Sequence, residues 1–315
     1  ENRIITALGL KQMRLSDSAG LRKFVEWQDV DEWNADIIGF QIGPRINASG
    51  RMDTPITALK WLLASDEKSD EYLREIEELN RERQSIVKSI AEKALLEANP
   101  DDGILFFIDS ALEHGLIWLV AGKLTEAYHQ PSIVLCEHIQ DDGKMLYVAS
   151  CRSPEWCNLI ELLDAHKDFF VRYGWHRQAA WFSIEQSQFE AFKSSIQKKF
   201  REQYWTQEHL PSKNITVECT LDATLLTLDT LKLIETFQPF WIGNPKPKFL
   251  LKDMTIASVR PLGSSGEHFS VYFEENLEVK HVFWRCSPEA KNELIAGNII
   301  SVIITLSKNI WNWKT

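Results

Sequence analysis

The chain has 315 residues, 44% of them hydrophobic, enough for two or three domains that each bury a core, so a disordered chain is excluded. No apolar run approaches the roughly 20 residues of a membrane-spanning helix and no basic-then-apolar leader is present, which points to the cytoplasm. The net charge of −10 excludes nucleic-acid binding through bulk positive potential and leaves only a focused cluster of Arg or Lys.

In chain order, residues 1–20 come first, beginning with Glu1 rather than Met, which reads as a fragment. Residues 66–99 read as one long helix, because Leu73, Ile76, Leu79, Ile86, Ile90 and Ala94 recur at three and four, and Asn99-Pro100 stops it. Its acidic flanks suggest a solvated spacer between compact regions. From 103 to 205 strand and helix alternate: strands over 104–108, 132–136 and 145–150, the last after an Asp-Asp-Gly turn, and helices over 116–128, 156–166 and 188–204. After Pro211 the period becomes two, with Phe269, Val271 and Phe273 on one face and Ile300, Val302, Ile304 and Leu306 on another. With the run 249–259 this predicts a small β-barrel of the OB type, a common holder of single strands. The expected fold is thus α/β plus β-barrel. Five cysteines without a C-x-x-C pair fit neither a disulfide framework nor a zinc site.

The segment Gly39-Phe40-Gln41-Ile42-Gly43-Pro44-Arg45-Ile46-Asn47-Ala48-Ser49-Gly50-Arg51 resembles the signature that follows the catalytic domain in RecJ-family nucleases. Glu1-Asn2-Arg3 and Gly9-Leu10 look like the last strand of that catalytic DHH domain. Ser150-Cys151-Arg152-Ser153 and Gly174-Trp175-His176-Arg177-Gln178-Ala179-Ala180-Trp181 resemble the two motifs of the DHH-associated domain, S-x-R-S and G-G-H-x-x-A-A-G. Pro239-Phe240-Trp241-Ile242-Gly243-Asn244-Pro245-Lys246-Pro247-Lys248-Phe249 looks like the lead-in to the RecJ OB domain.

The resemblance covers essentially the whole chain. It implies a division into 1–20 (end of the DHH domain), 21–102 (linker and connecting helix), 103–208 (DHH-associated domain) and 209–315 (OB domain). It also implies a parent hydrolase that degrades single-stranded DNA from 5′ to 3′ in DNA repair and recombination, using Mn²⁺ or Mg²⁺ held by a catalytic domain absent here. The implied chain is monomeric, touches no membrane, has no catalytic or metal-binding residue of its own and would be inactive alone. Single-stranded DNA is the implied partner, with a single-strand-binding protein or helicase as further ones.

The candidate strand-binding residues are Arg45, Asn47, Arg51, Ser150, Arg152, Ser153, Gly174 and His176. A guanidinium forks two phosphate oxygens. Arg152, between two serine hydroxyls at a strand end before a helix, suggests an anion cradle completed by helix N–H groups. Gly174 permits close backbone approach, and His176 donates to phosphate or stacks on a base. An inter-domain salt bridge is the competing explanation for each arginine. His114 and Lys123 read as a bystander and a surface lysine. Two other functions stay open: a non-catalytic single-strand-binding relative, and a DHH phosphoesterase acting on short oligonucleotides or cyclic dinucleotides.

Family glycine positions carry tryptophan at Trp118, Trp175, Trp181, Trp241 and Trp313, with Trp156 as a sixth candidate. The chain holds 14 glycines and 12 tryptophans, where average usage predicts roughly 22 glycines. Glycine at such positions supplies φ > 0 or close backbone contact, and an indole would clash or fill a pocket. The two explanations are a UGA codon read as glycine in the source organism, or a degenerate relative whose cleft is plugged by indoles.

Overall fold

The structure, a computed structural model, describes residues 1–28, 34–140, 143–204, 214–241, 243–263 and 266–308. Residues 15–213 form one compact unit, and residues 1–14 with 214–315 form another.

The segment read as a closing strand is helical instead: α1 spans Asn2–Arg14. The reason is spacing, since Ile4, Ile5, Ala7 and Leu8 follow the helical period rather than alternating. Arg3 ties the helix to its own unit, donating to the carbonyls of Gln238 (3.0 Å) and Thr236 (2.9 Å).

The 15–213 unit begins with α2 (Ala19–Gln28), then a π-helical turn over Ile37–Ile42 that runs into α3 (Gly43–Met52), followed by α4 (Pro55–Leu63) and α5 (Asp66–Glu97). Pro55 begins α4 behind a Thr54 cap whose hydroxyl accepts from the Ile56 N–H. Trp61 of α4 is fully buried and edge-on to Phe24 of α2, 6.1 Å between ring centres. A Cβ on Gly20 would sit 2.3 Å from the Trp61 carbonyl oxygen, so only glycine lets α2 lie this close to α4.

α5 is not the solvated spacer expected from its charge. Ser69, Leu73, Ile76, Asn80, Val87, Ala91 and Ala94 form a buried stripe, and α2, α3, α4 and a later helix pack on it. Burying each large aliphatic of that stripe contributes about 2 kcal/mol, which the charged opposite face does not oppose.

The same unit continues with β1 (Leu105–Ile108), α6 (Ile117–Tyr128), β2 (Ser132–Ile139), β3 (Met145–Arg152), α7 (Leu159–Asp164), β4 (Phe170–Trp175), β5 (Ala179–Glu185) and α8 (Phe189–Tyr204). The sheet order is β1-β2-β3-β5-β4, parallel between β1 and β2 and antiparallel elsewhere. Alternation along β2 sends Ile133 and Leu135 to a core with Phe182, Phe192 and Phe200, and Val134 and Cys136 to one with Val120, Leu124 and Val87. The β4–β5 hairpin was not anticipated from sequence. Of the Asp-Asp-Gly turn, Asp141 and Asp142 lie outside the described residues, and Gly143 takes φ +80°.

The second unit adds β6 (Cys219–Thr220), α9 (Leu228–Glu235), β7 (Phe249–Leu262), β8 (His268–Phe273), β9 (Asn276–Phe283), α10 (Pro288–Glu293) and β10 (Ile299–Ile304). The first half of the 14-residue β7 pairs with β6 and β10, and the second half with β8, after a register shift between Ile256 and Ser258. The order β10-β7-β8-β9 is not closed by a β9–β10 pairing among the described residues, so the expected barrel is open. Its core holds Leu251, Met254, Ile256, Val271, Phe273 and Val302, of which Val271, Phe273 and Val302 come from the faces predicted by alternation.

His281 on β9 is 7% exposed, stacks edge-on to Phe273 and leaves Nε2 without a hydrogen-bond partner. Burial depresses its pKa from 6.5 to about 4. Between those values the unfolded chain binds the proton and the folded unit does not, so stability is full above pH 6.5 and falls towards pH 4. The loss should reach at most about 3 kcal/mol at this site. Urea unfolding of His281→Phe at pH 7 and pH 4.5 should show a smaller pH-dependent drop than the parent; an equal drop would refute the assignment.

Among the described residues no helix is long and apolar enough to cross a membrane.

Candidate nucleic-acid interface

Strand register builds the site. Ser150 pairs with Trp181 and Arg152 with Ala179 across β3–β5, and Gly174 pairs with Trp181 across β4–β5. Directly paired residues share a face, so Ser150, Arg152, Gly174, Ala179 and Trp181 project together, while the neighbours Cys151 and Ala180 turn into the core. The first turn of α6 brings Trp118 over this face, and Arg51 arrives from the end of α3.

The result is a groove of about 600 Å³ whose walls include Arg51, His114, Trp118, Ser150, Arg152, Gly174, Trp175, His176 and Trp181. That volume suits a nucleotide-sized ligand. Arg51 donates through Nη1 to the Gly115 carbonyl (2.9 Å) and lies 4.3 Å above the Trp118 ring. A Cβ on Gly115 would come within 2.8 Å of the Arg51 carbonyl oxygen, so glycine is required for the approach. Arg152 donates to the Cys151 carbonyl (2.7 Å) and, at 3.4 Å, to the Ser150 hydroxyl; its guanidinium is 5.6 Å from the Trp118 ring. Burial, then Arg83, then Arg152 lower the Arg51 pKa, and burial lowers that of Arg152. None of these arginines has a carboxylate within 4.0 Å among the ion pairs of the described residues. Positive charge without a counter-ion, partly desolvated and open to a groove, is a setting for an anion.

Of the residues singled out from sequence, Arg51, Ser150, Arg152, Gly174 and His176 meet here. Arg45 does not. It faces α5, where Nε donates to Glu77 at 2.7 Å and Nη1 to the Gln41 carbonyl, both side chains of the ion pair being almost out of solvent. Arg45 is taken up by an ion pair, but one within the 15–213 unit, from α3 to α5, and not the inter-domain salt bridge expected as the alternative. Asn47 is exposed on α3 but is not part of the groove walls. Ser153 is buried, its hydroxyl donating to the Cys157 carbonyl (2.9 Å), which fixes the loop instead of meeting a ligand. The helix expected to complete the cradle at Arg152 begins only at Leu159, and Asn158 already caps it by accepting from the Ile160 N–H. His114, read as a bystander, lines the groove.

Fold and site together comprise an α/β unit with an arginine-lined groove and a separate OB-type unit. Residues 217–315 match the family model described as the RecJ OB domain. The single-stranded-DNA-specific exonucleases RecJ of Bacillus subtilis and Thermus thermophilus are 26% and 27% identical to the chain over 99% of its length. The crystal structure of Thermus thermophilus RecJ in complex with Mn²⁺ superposes with TM-score 0.81 at 26% identity, covering 99% of this chain and 45% of that one. The Mg²⁺ complex gives TM-score 0.78. The chain is therefore RecJ-like over nearly all its length, and it spans 40% and 43% of those two curated relatives.

Proposed function

We propose that the chain supplies the strand-binding half of a RecJ-type single-stranded-DNA exonuclease, and that its groove grips the 5′ end of one strand. Arg51 and Arg152 take the terminal phosphate, with the Ser150 hydroxyl as a further donor. The Gly174 backbone allows the strand to approach, and His176, exposed at the β4–β5 turn, contacts the adjoining sugar-phosphate. The observation that supports this reading most is the convergence of Arg51 and Arg152, both lacking a carboxylate partner, on one groove of a chain that is acidic overall.

Hydrolysis from 5′ to 3′ in the parent protein requires water activated by Mn²⁺ or Mg²⁺. Among the described residues no three His, Cys, Asp or Glu side chains converge to hold a metal ion, so no step is assigned to a metal on this chain. Its residues bind and orient the strand; the chain alone should not hydrolyse DNA. The OB unit would contribute its own single-strand binding, and a single-strand-binding protein or helicase would be the protein partner.

The test is equilibrium binding of single- and double-stranded DNA across a salt series. Single strands should bind more tightly, and Arg152→Ala should weaken them and reduce the slope of log affinity against log salt by about 0.7 for the lost phosphate contact. Equal affinity for both forms would overturn the proposal and favour an unspecific polyanion surface.

A further inference from the structure

We infer that the anion seat of this groove is completed by the N-terminus of α6, whose Ile117 and Trp118 backbone N–H groups donate to the same terminal phosphate as Arg51 and Arg152. The inference deepens the proposed strand grip and rests on it.

The sequence leaves the start of α6 open. Leu116 stands at the cap position, where it offers no side-chain acceptor, and the first turn holds no acidic residue. The backbone ladder begins with the Leu116 carbonyl, which accepts from the N–H groups of Leu119 (3.0 Å) and Val120 (3.4 Å). The N–H groups of Ile117 and Trp118 find no acceptor among the described residues. Elsewhere the chain closes such ends: Thr54, Asn158, Thr227 and Ser287 each cap a helix with a side-chain oxygen.

The surroundings sharpen the demand for an anion. A helix N-terminus carries partial positive charge and favours a negative neighbour. Here it meets two cations instead. Arg51 donates to the Gly115 carbonyl just ahead of the helix and lies over the Trp118 ring, and the Arg152 guanidinium is 5.6 Å from that ring. Glu113, the nearest carboxylate in sequence, is exposed and forms no ion pair among the described residues.

A second observation comes from β3. Ser150 is only 5% exposed and borders the groove. Its hydroxyl accepts from Arg152 at 3.4 Å, but its own proton has no acceptor among the described residues. A buried O–H without an acceptor is costly, and a phosphate oxygen in the groove supplies one.

Gly115, Ile117 and Trp118 border the same groove as Arg51, Ser150 and Arg152. Unused donors from α3, β3 and α6 therefore meet around one space, a set that suits a tetrahedral oxyanion. A terminal phosphate offers three acceptor oxygens and carries more charge than an internal diester. The backbone donors stay whatever side chain stands at position 118, so the seat does not depend on an indole there.

The experiment records amide NMR spectra of the isotope-labelled full chain with oligothymidylate carrying either a 5′-phosphate or a 5′-hydroxyl. The Ile117 and Trp118 amide protons should move downfield with the phosphorylated strand and stay in place with the hydroxyl form. A backbone ester in place of the Ile117 amide removes the N–H and keeps the buried side chain. It should cut the preference for the phosphorylated end by about tenfold. Should the ester variant fail to fold, the spectra of the unaltered chain still decide. Ile117 and Trp118 amides that stay in place, with the preference lost in Arg152→Ala, would overturn the role of α6 alone. No preference for the phosphorylated end in the unaltered chain would instead remove the strand-grip reading on which it rests.

Discussion

Replacing Trp118, Trp175 and Trp181 together by glycine should raise the affinity for single-stranded DNA by between about tenfold and a hundredfold. All three residues border the groove that holds Arg51 and Arg152, although Trp175, paired with Ala180, also packs on the core beside Phe170. Trp181 lies across the Gly174 backbone, its Nε1 only 2.7 Å from where a Cβ would stand, and Trp175 stacks on Tyr173 at 4.1 Å. Trp118 is wedged under Arg51 with its own Nε1 buried and unpartnered. Trp181 is 48% exposed, so it still withdraws on the order of 100 Å² from water, and displacing it costs about 2.5 kcal/mol at 25 cal per Å². Should the indoles serve as base-stacking platforms instead, the triple variant would lose affinity, so the sign of the change decides between plug and platform. The gene bears on the same question. UGA codons read as glycine would mean that the source organism makes the open groove already, whereas UGG at positions 118, 175 and 181 would end that explanation.

The backbone narrows the glycine argument. None of Trp118, Trp156, Trp175, Trp181 and Trp241 has positive φ, so left-handed backbone is not why glycine would be favoured there; at Trp118, Trp175 and Trp181 the issue is space in the groove. Trp156 differs from the groove indoles, since it donates to the His129 carbonyl and packs on Phe200 and Tyr204 as an ordinary core residue. Trp313 lies outside the described residues.

The long helix, β8 and β10 were legible in the sequence from their periodicity, each having one face in a core, and the three leading strands of the α/β sheet, covered on both faces, from their short apolar runs. The β4–β5 hairpin was hidden for a local reason. Burial along β4 is confined to its first residue and its last two, so no alternation betrays it, and its turn falls inside a motif that reads as a loop. Which arginine faces the groove was not legible either. Arg45 and Arg51 share one short helix and the same residue type, but six positions along a helix is well over one turn and a half, so they leave on different sides. Only the packing of α3 on α5 shows that Glu77 claims the first and leaves the second free.

That division predicts opposite phenotypes. Arg45→Ala should destabilise the 15–213 unit by about 3 kcal/mol while leaving single-strand affinity unchanged. The Arg45 and Glu77 side chains are only 12% and 13% exposed, and the guanidinium also lies 5.5 Å from the Phe24 ring and 5.4 Å from that of Trp27. Removing one member of such a pair leaves a carboxylate without its partner, the costly way to break a buried ion pair. The loss should sit at the low end of the usual range because Arg81 Nε is already 3.4 Å from the same Glu77 carboxylate and can follow it. Denaturant unfolding reads the first effect, and binding at a temperature where the variant remains folded reads the second. Arg45→Ala/Glu77→Ala should recover part of the stability, since no stranded charge remains. A variant that keeps its stability but loses strand binding would return Arg45 to the interface and would mean that the Glu77 pair opens when DNA arrives.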